Sequence, residues 1–375
     1  MKQRGTEVSR RHVLATALAV PFATARCGGA SPGSPSGQAS PTPVPAATPP
    51  DIGPSGWALQ TASPTSPNQN RHDDIFFIDR QNGWLVNPRA EVWATQNGGQ
   101  DWQQVAKLDS DVFLRCVGFA SPSNGWAGNL NRTGGAPSPD YSLFETLDGG
   151  RTWANISSRI QGAAVVGLCG MRLPAPDTIV AAGRWNGPAV FVKSTDGGRT
   201  FTSTSLSPLL TGAIDVSFFD SQRGFVVGGQ GVGSSIEEQR SSRTVILATT
   251  DGGQTWQTRY SSAAIGQWAW KIQFVDSEVG YVTTEGPNPE GVILKTTDGG
   301  LTWRPLLVRS GVSFEGVGFV SRDLGWAGSF PSLFQTTDGG ATWSRLGFGA
   351  YVNRLRVMGP DLVYAAGDRV YRWTV

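Results

Sequence analysis

The sequence predicts an all-β fold, a seven-bladed β-propeller of four-stranded antiparallel blades, on three observations. One turn recurs six times, as ATQNGGQDW (94–102), ETLDGGRTW (145–153), KSTDGGRTF (193–201), ATTDGGQTW (248–256), KTTDGGLTW (295–303) and QTTDGGATW (335–343). Between these turns an apolar residue precedes an aromatic one by seven positions, in Phe77/Trp84, Phe119/Trp126, Phe218/Phe225, Phe274/Tyr281 and Phe319/Trp326, with weaker copies at Leu173/Val180 and Val357/Tyr364. The last module, ending RVYRWTV, lacks a fourth strand, and GWALQTA near residue 56 resembles the residues that open fourth strands elsewhere. Modules repeating every 40 to 55 residues or so indicate a circular or stacked array.

Each module reads as strand, turn, strand, variable loop, third strand, Asp-containing turn and a fourth strand opening on Trp. Short runs of β-formers broken by Gly, Asp, Asn and Ser favour antiparallel strands. No amphipathic helical stretch follows the first 27 residues. Pairing the strand at Trp57 with the carboxy-terminal strand closes the ring and removes two sheet edges.

The amino terminus reads SRRHVLATALAVPFATARC, two arginines before an apolar run at 13–25 that is too short to cross a bilayer. It has the build of an export signal, and Ser9-Arg10-Arg11 resembles the twin-arginine motif. Two readings of Cys27 stand: the lipidated cysteine of a lipoprotein, or a residue removed or left unmodified. Residues 28–55, rich in Pro and Ser, have the composition of a disordered tether, and residues 56–375 form the propeller. The expected location is the outer side of the cell membrane or an extracellular or periplasmic space.

A formal charge of +2 is concentrated in the leader, where Lys2, Arg4, Arg10, Arg11 and Arg26 face only Glu7. The rest is slightly acidic and does not have the charge of a nucleic-acid binder. His12 and His72 are the chain's two histidines, too few for a histidine metal centre or a Ser-His-Asp relay. No metal and no cofactor is expected. Cys116 and Cys169 lie in strand-like runs, either bonded to each other or as two buried free thiols.

In the repeated turn the carboxylate accepts backbone N–H groups, glycine supplies positive φ, and the following tryptophan packs between sheets. Asn97, Asp148, Asp196, Asp251, Asp298 and Asp338, with Trp102, Trp153, Trp256, Trp303 and Trp343, are therefore assigned to scaffold. Six near-copies do not make six active sites. Recognition is expected on the long loops after Trp126 and Phe225 and on the links between blades. Arg132, Trp185, Arg240, Arg243, Arg259, Trp268, Trp270, Lys271, Tyr351 and Arg354 are the candidate partner-binding residues there. One of Trp268 and Trp270 in WAWKIQF is expected to point inward as blade packing.

The turn is similar to the Asp-box, or BNR repeat. Combined with F-x-D-x-x-x-G-W one hairpin earlier, it resembles the photosystem II stability and assembly factor family over about residues 56–375. That resemblance implies a seven-bladed, non-enzymatic, monomeric propeller that holds a membrane-protein client. The slightly acidic body, the tether and two degenerate modules differ from the photosynthetic members, so an envelope relative with another client is an equal expectation. The alternative is a glycan-binding or sialidase-like Asp-box propeller. Sialidases carry an Arg-Ile-Pro triplet that is absent here. Tyr260, Tyr281, Tyr351 and Tyr364 fall at packing positions, and GGQGVGSS (228–235) lacks the Lys-Ser or Lys-Thr of a phosphate loop.

Overall fold

The computed structural model describes residues 51–52, 56–66, 71–131 and 138–375. The leader with Cys27, residues 28–50 and 53–55 of the tether, and Arg132 lie outside the described residues. Seven sheets form the blades. Blade 1 runs through Asp74–Phe77, Gly83–Val86, Glu91–Thr95 and Gln103–Lys107, and blade 2 through Leu114–Phe119, Gly125–Asn129, Leu143–Thr146 and Ala154–Asn155. Blade 3 comprises Gly170–Ala175, Thr178–Gly183, Val190–Ser194 and Phe201–Ser205, and blade 4 Gly212–Phe218, Gly224–Gln230, Arg243–Thr249 and Gln257–Ser261. Blade 5 comprises Trp268–Phe274, Gly280–Glu285, Val292–Thr296 and Arg304–Leu307; blade 6 comprises Phe314–Phe319, Gly325–Ser329, Leu333–Thr336 and Ser344–Leu346. Blade 7 takes its first three strands, Arg354–Gly359, Leu362–Ala366 and Val370–Thr374, from the carboxy terminus.

Its fourth strand is Trp57–Leu59, antiparallel to Val370–Thr374 with Trp57 opposite Trp373. The first strands of successive blades touch all the way round, blade 7 to blade 1 included, and so line the axis. Two outer edges gain a parallel fifth strand: Ile160–Gly162 on blade 3, and Asp51–Ile52 on blade 6. The expectation of no helix missed Ile236–Ser241 in the long loop of blade 4, which is capped by Ser235 with Glu238 returning the bond. That capping box, Ser-x-x-Glu, is written in the sequence.

The repeated aromatic pair spans two blades. Trp84 of blade 1 stacks on Phe119 of blade 2 at 3.6 Å, and Tyr281 of blade 5 on Phe319 of blade 6 at 3.6 Å. Tyr364 of blade 7 stacks on Phe77 of blade 1 at 3.9 Å. A fourth-strand tryptophan meets each stack edge-on: Trp102 on Phe77, Trp153 on Phe119 and Trp343 on Phe319. The glycine that opens most second strands makes room for the first-strand ring of its own blade. An added Cβ at Gly83, Gly125, Gly224, Gly280 or Gly325 would lie within 2.8 Å of that ring.

Blade 3 carries Val180 where others carry an aromatic residue. Phe191, on its third strand, fills the gap, stacking on Phe218 at 5.5 Å under Trp256. At the ring closure Trp57 meets Trp326 edge-on at 5.4 Å, the role that Trp102 and Trp343 have elsewhere. Cys116 and Cys169 are both buried, with no disulfide between them.

Trp57→Ala is expected to lower unfolding free energy by about 3–5 kcal/mol, because a buried indole is lost at the closure. Chemical denaturation measures this, and a loss below about 1 kcal/mol, typical of a surface site, would mean that the strand does not close the ring.

Candidate functional site: the axial channel

The glycine after each repeated Asp or Asn donates its N–H to the turn between first and second strands: Gly98 to Gln81 O, Gly149 to Ser123 O and Gly299 to Glu278 O. The Asp turns therefore share one face with those turns. First strands begin at the opposite face, where the long loops lie, and run toward the Asp turns.

The Asp turns have the geometry of scaffold. Asp298 Oδ1 accepts from Thr302 N at 2.9 Å and from the Thr296 hydroxyl at 2.7 Å, and its Oδ2 accepts from the Thr302 hydroxyl. Thr296 Oγ1 in turn accepts from Gly300 N. Gly300 has φ +82°, and a Cβ there would strike Phe225 of the preceding blade at 2.4 Å. Asp148, Asp196, Asp251 and Asp338 repeat the pattern. In the first copy Asn97 accepts from Asp101 N at 2.9 Å and donates its amide to Asp101 Oδ2 at 3.0 Å, so the carboxylate has moved to the other end of the turn. Slight burial works against it, but Thr302 and the backbone hold the Asp298 carboxyl at about 2.

The unusual chemistry lies on the axis. Every blade's first strand, or the residues just before it, brings charge there: Asp73 and Asp74, Arg115, Arg172, Asp215, Lys271, Glu315, then Arg354 and Arg356. Counted back from the repeated apolar position, Asp74, Asp215, Lys271 and Arg354 stand three residues before it. Arg115 and Glu315 stand four before, and Arg172 and Arg356 one before. Strand pairing shifts register across Arg115, Lys271 and Glu315, and such bulges re-aim side chains.

Midway down, Arg354 of blade 7 donates through Nε to Asp74 of blade 1 at 2.9 Å. Its two Nη groups clamp Asp215 of blade 4 at 3.0 and 3.2 Å. Burial alone would raise both carboxyls, but Arg354 and Arg356 hold Asp74, and Arg172 and Arg354 hold Asp215, below the usual range. Toward the loop face, Arg115 pairs with Asp73, and Arg71 with Glu315. Burial pushes Glu315 up against the pull of Arg71, and Glu285 adds to the push. Trp270 closes this layer, donating to Asn353 Oδ1 at 2.7 Å beneath the Arg115 guanidinium, 4.9 Å from its ring. His72, pushed down to about 4 by burial, is held as a neutral ring against Pro64 O.

Of the candidate partner residues, Trp268, Trp270, Lys271 and Arg354 are buried, the last two in the channel, and Trp185 is buried against Trp268. Both tryptophans of WAWKIQF are buried, as residues two apart on a strand share a face. Arg240 is exposed on the short helix, and Arg243 bonds Ser262 O and Ala263 O at the loop face. Arg259 lies on the outer strand of blade 4, and Tyr351 stacks on the exposed Phe330 at 4.2 Å. Sequence reasoning passed over Asp74, Arg115, Arg172, Asp215, Glu315 and Arg356, all of which lie within four residues before the repeated apolar position. No helix among the described residues is long and apolar enough to cross a membrane. No group of three or more His, Cys, Asp or Glu among them is placed to hold a metal.

No protein-family model and no curated protein matches the chain. Among solved structures it is similar to one described as YCF48 bound to a D1 peptide, at 19% identity and TM-score 0.62, over 89% of this chain and 100% of that one. YCF48 from Cyanidioschyzon merolae matches at 16% identity and TM-score 0.62, over 85% and 99%. A GH74 xyloglucanase from Xanthomonas campestris matches at 12% identity and TM-score 0.59, over 84% of this chain but 53% of the enzyme. At these identities the likeness shows the fold, a seven-bladed propeller.

Two substitutions separate scaffold from channel. Asp298→Ala, at an exposed and screened turn, is expected to lower stability by about 1 kcal/mol at neutral pH. Because its folded pKa is depressed, this contribution is complete above about pH 4 and fades as pH falls toward 2. Asp215→Asn leaves Arg172 without its carboxylate and Arg354 with Asp74 alone, and is expected to cost about 3–5 kcal/mol. Denaturant midpoints across pH 2 to 7 or so would check both, and equal losses at the two sites would contradict the assignment.

Proposed function

We propose that this chain is a non-catalytic, protein-binding propeller, exported to the outer side of the cell membrane, where it holds an extramembrane segment of a membrane or envelope protein. The observation that carries this reading is extent: a single seven-bladed ring is co-extensive with a propeller described as binding a peptide. The loop face supports it with exposed Phe330 stacked on Tyr351 and with Arg240 and Arg243. Aromatic and arginine side chains on a rigid frame are the usual anchors of protein interfaces. The channel carboxylates support it too. Asp74 and Asp215 are locked by arginines, whereas a glycosidase needs one free carboxylate and one raised, accessible acid.

A glycosidase reading rests on one observation, the upward push on Glu315 beside Glu285 at the loop-face mouth. In-cell crosslinking of the full chain, followed by purification from membranes, is expected to recover one defined client. Phe330→Ala with Tyr351→Ala should reduce that recovery about tenfold without changing the melting temperature. Hydrolysis of xyloglucan or of a chromogenic glycoside, abolished by Glu315→Gln, would replace this reading with the enzymatic one.

A further inference from the structure

The middle and the Asp-turn end of the channel carry more positive charge than their carboxylates neutralise. Arg172, Lys271, Arg354 and Arg356 share Asp74 and Asp215. Lys271 is buried, and its Nζ has no hydrogen-bond partner among the described residues. The charged groups that face it are Arg354, Asp215, Arg115 and Asp74, with the Trp270 ring at 5.8 Å. A buried ammonium without an acceptor is costly, and one way to relieve it is to release the proton. Burial and the nearby arginines do push Lys271 down to about 7.

Deprotonation does not balance the site. With Lys271 neutral, three guanidiniums still face two carboxylates, and arginine keeps its proton. Arg172 and Arg356 stand at the same offset in blades 3 and 7, nearer the Asp turns than the other first-strand charges. Each reaches its carboxylate at 3.4 Å, a long contact, and each spends one further N–H on a backbone carbonyl, Met171 O or Ile75 O. Five donors per guanidinium leave several over. The two repel one another, which helps to press Arg356 down, yet both keep solvent access, with side chains 20% and 14% exposed. A planar fork of donors matches a pair of anion oxygens better than a spherical halide.

We propose that the Asp-turn end of the channel binds one small oxyanion, held by Arg172 of blade 3 and Arg356 of blade 7 with Lys271 of blade 5 beneath it. The bound anion supplies the missing negative charge and ties three non-adjacent blades across the axis. This site is independent of client binding at the loop face.

Isothermal titration of the full chain with inorganic phosphate, sulfate and acetate at neutral pH and constant ionic strength tests it. A single saturable site is expected, weakened about tenfold or more in Arg172→Met, Arg356→Met and Lys271→Met, and unchanged in Arg240→Met on the loop face. Preference for phosphate and sulfate identifies a free tetrahedral oxyanion; equal or tighter binding of acetate identifies a carboxylate, including one carried by another molecule. No saturable heat, or binding undiminished in the three channel variants, overturns the proposal. Crystals of the unmutated chain grown with selenate provide a readout that needs no variant to fold. An anomalous peak between Arg172 and Arg356 supports the site, and peaks confined to the outer surface overturn it.

Discussion

The ring depends on one contact repeated between neighbours: a second-strand aromatic laid flat on the first-strand aromatic of the next blade, with a fourth-strand indole at its edge. A β-sheet buries its face only against another sheet. The blades diverge from the axis, so bulk must increase outward, and three aromatic rings supply it at each clear interface. The Asp turn follows from this contact. Trp84 Nε1 donates to Gly149 O, Tyr281 Oη to Gly339 O and Tyr364 Oη to Gly98 O, so in blades 1, 5 and 7 the second-strand ring also bonds the turn of the next blade. A side chain at the second glycine would push the ring away, as the Gly300 to Phe225 approach shows. Turn and stack are thus one device, which is why the two sequence patterns recur together.

At the axis the opposite constraint holds, since seven strands converge and backbone groups must be satisfied without bulky packing. Each first strand is the inner edge of its sheet, with N–H groups that lack a ladder partner, and the carboxylates accept them. Asp74 Oδ2 takes Val117 N of blade 2 at 3.1 Å, and Asp215 Oδ2 takes Ile272 N of blade 5 at 3.3 Å. Gln273 does the same for blade 6, accepting Phe319 N at 2.7 Å and donating to Phe319 O at 3.0 Å. Once carboxylates are buried for this purpose, arginines must accompany them. Arg354 does so twice, joining its neighbour Asp74 and, across the ring, Asp215.

Blade number, strand order and ring closure were legible because they rest on local periodicity, and Trp57 announced itself by resembling the tryptophans that open other fourth strands. The partner of each aromatic was not legible. Spacing along one chain gives Phe77 and Trp84, whereas the contact is Trp84 with Phe119. The substitution of Phe191 for the missing aromatic at Val180 is likewise a fact of space, since it comes from a different strand. At the channel, composition hid the signal: charged residues inside apolar strands read as surface, and their offsets of one, three and four residues before the repeated apolar position follow no single period. Lys271 and Arg354, expected at the loop face, lie on inner strands: a bulge spans Lys271, whereas Arg354 sits in regular pairing opposite Ala366.

The asymmetry of the axis separates it from the rest of the scaffold. A ring needs seven equivalent wedges, and the stacks and turns are close to equivalent. The axial charges are not: they are acidic in blades 1, 4 and 6, and basic in blades 2, 3, 5 and 7. They are also graded along the axis, with Asp73, Glu285 and Glu315 against Arg71 and Arg115 at the loop face, and the arginine excess toward the Asp turns. Closing the ring requires neither feature, because apolar side chains of similar volume are often as stabilising as a buried ion pair. A charge gradient through a rigid ring makes its two mouths chemically different. The repeated Asp turns, which look most like chemistry in the sequence, surround the mouth where the cationic excess lies, and they do so as frame rather than ligand.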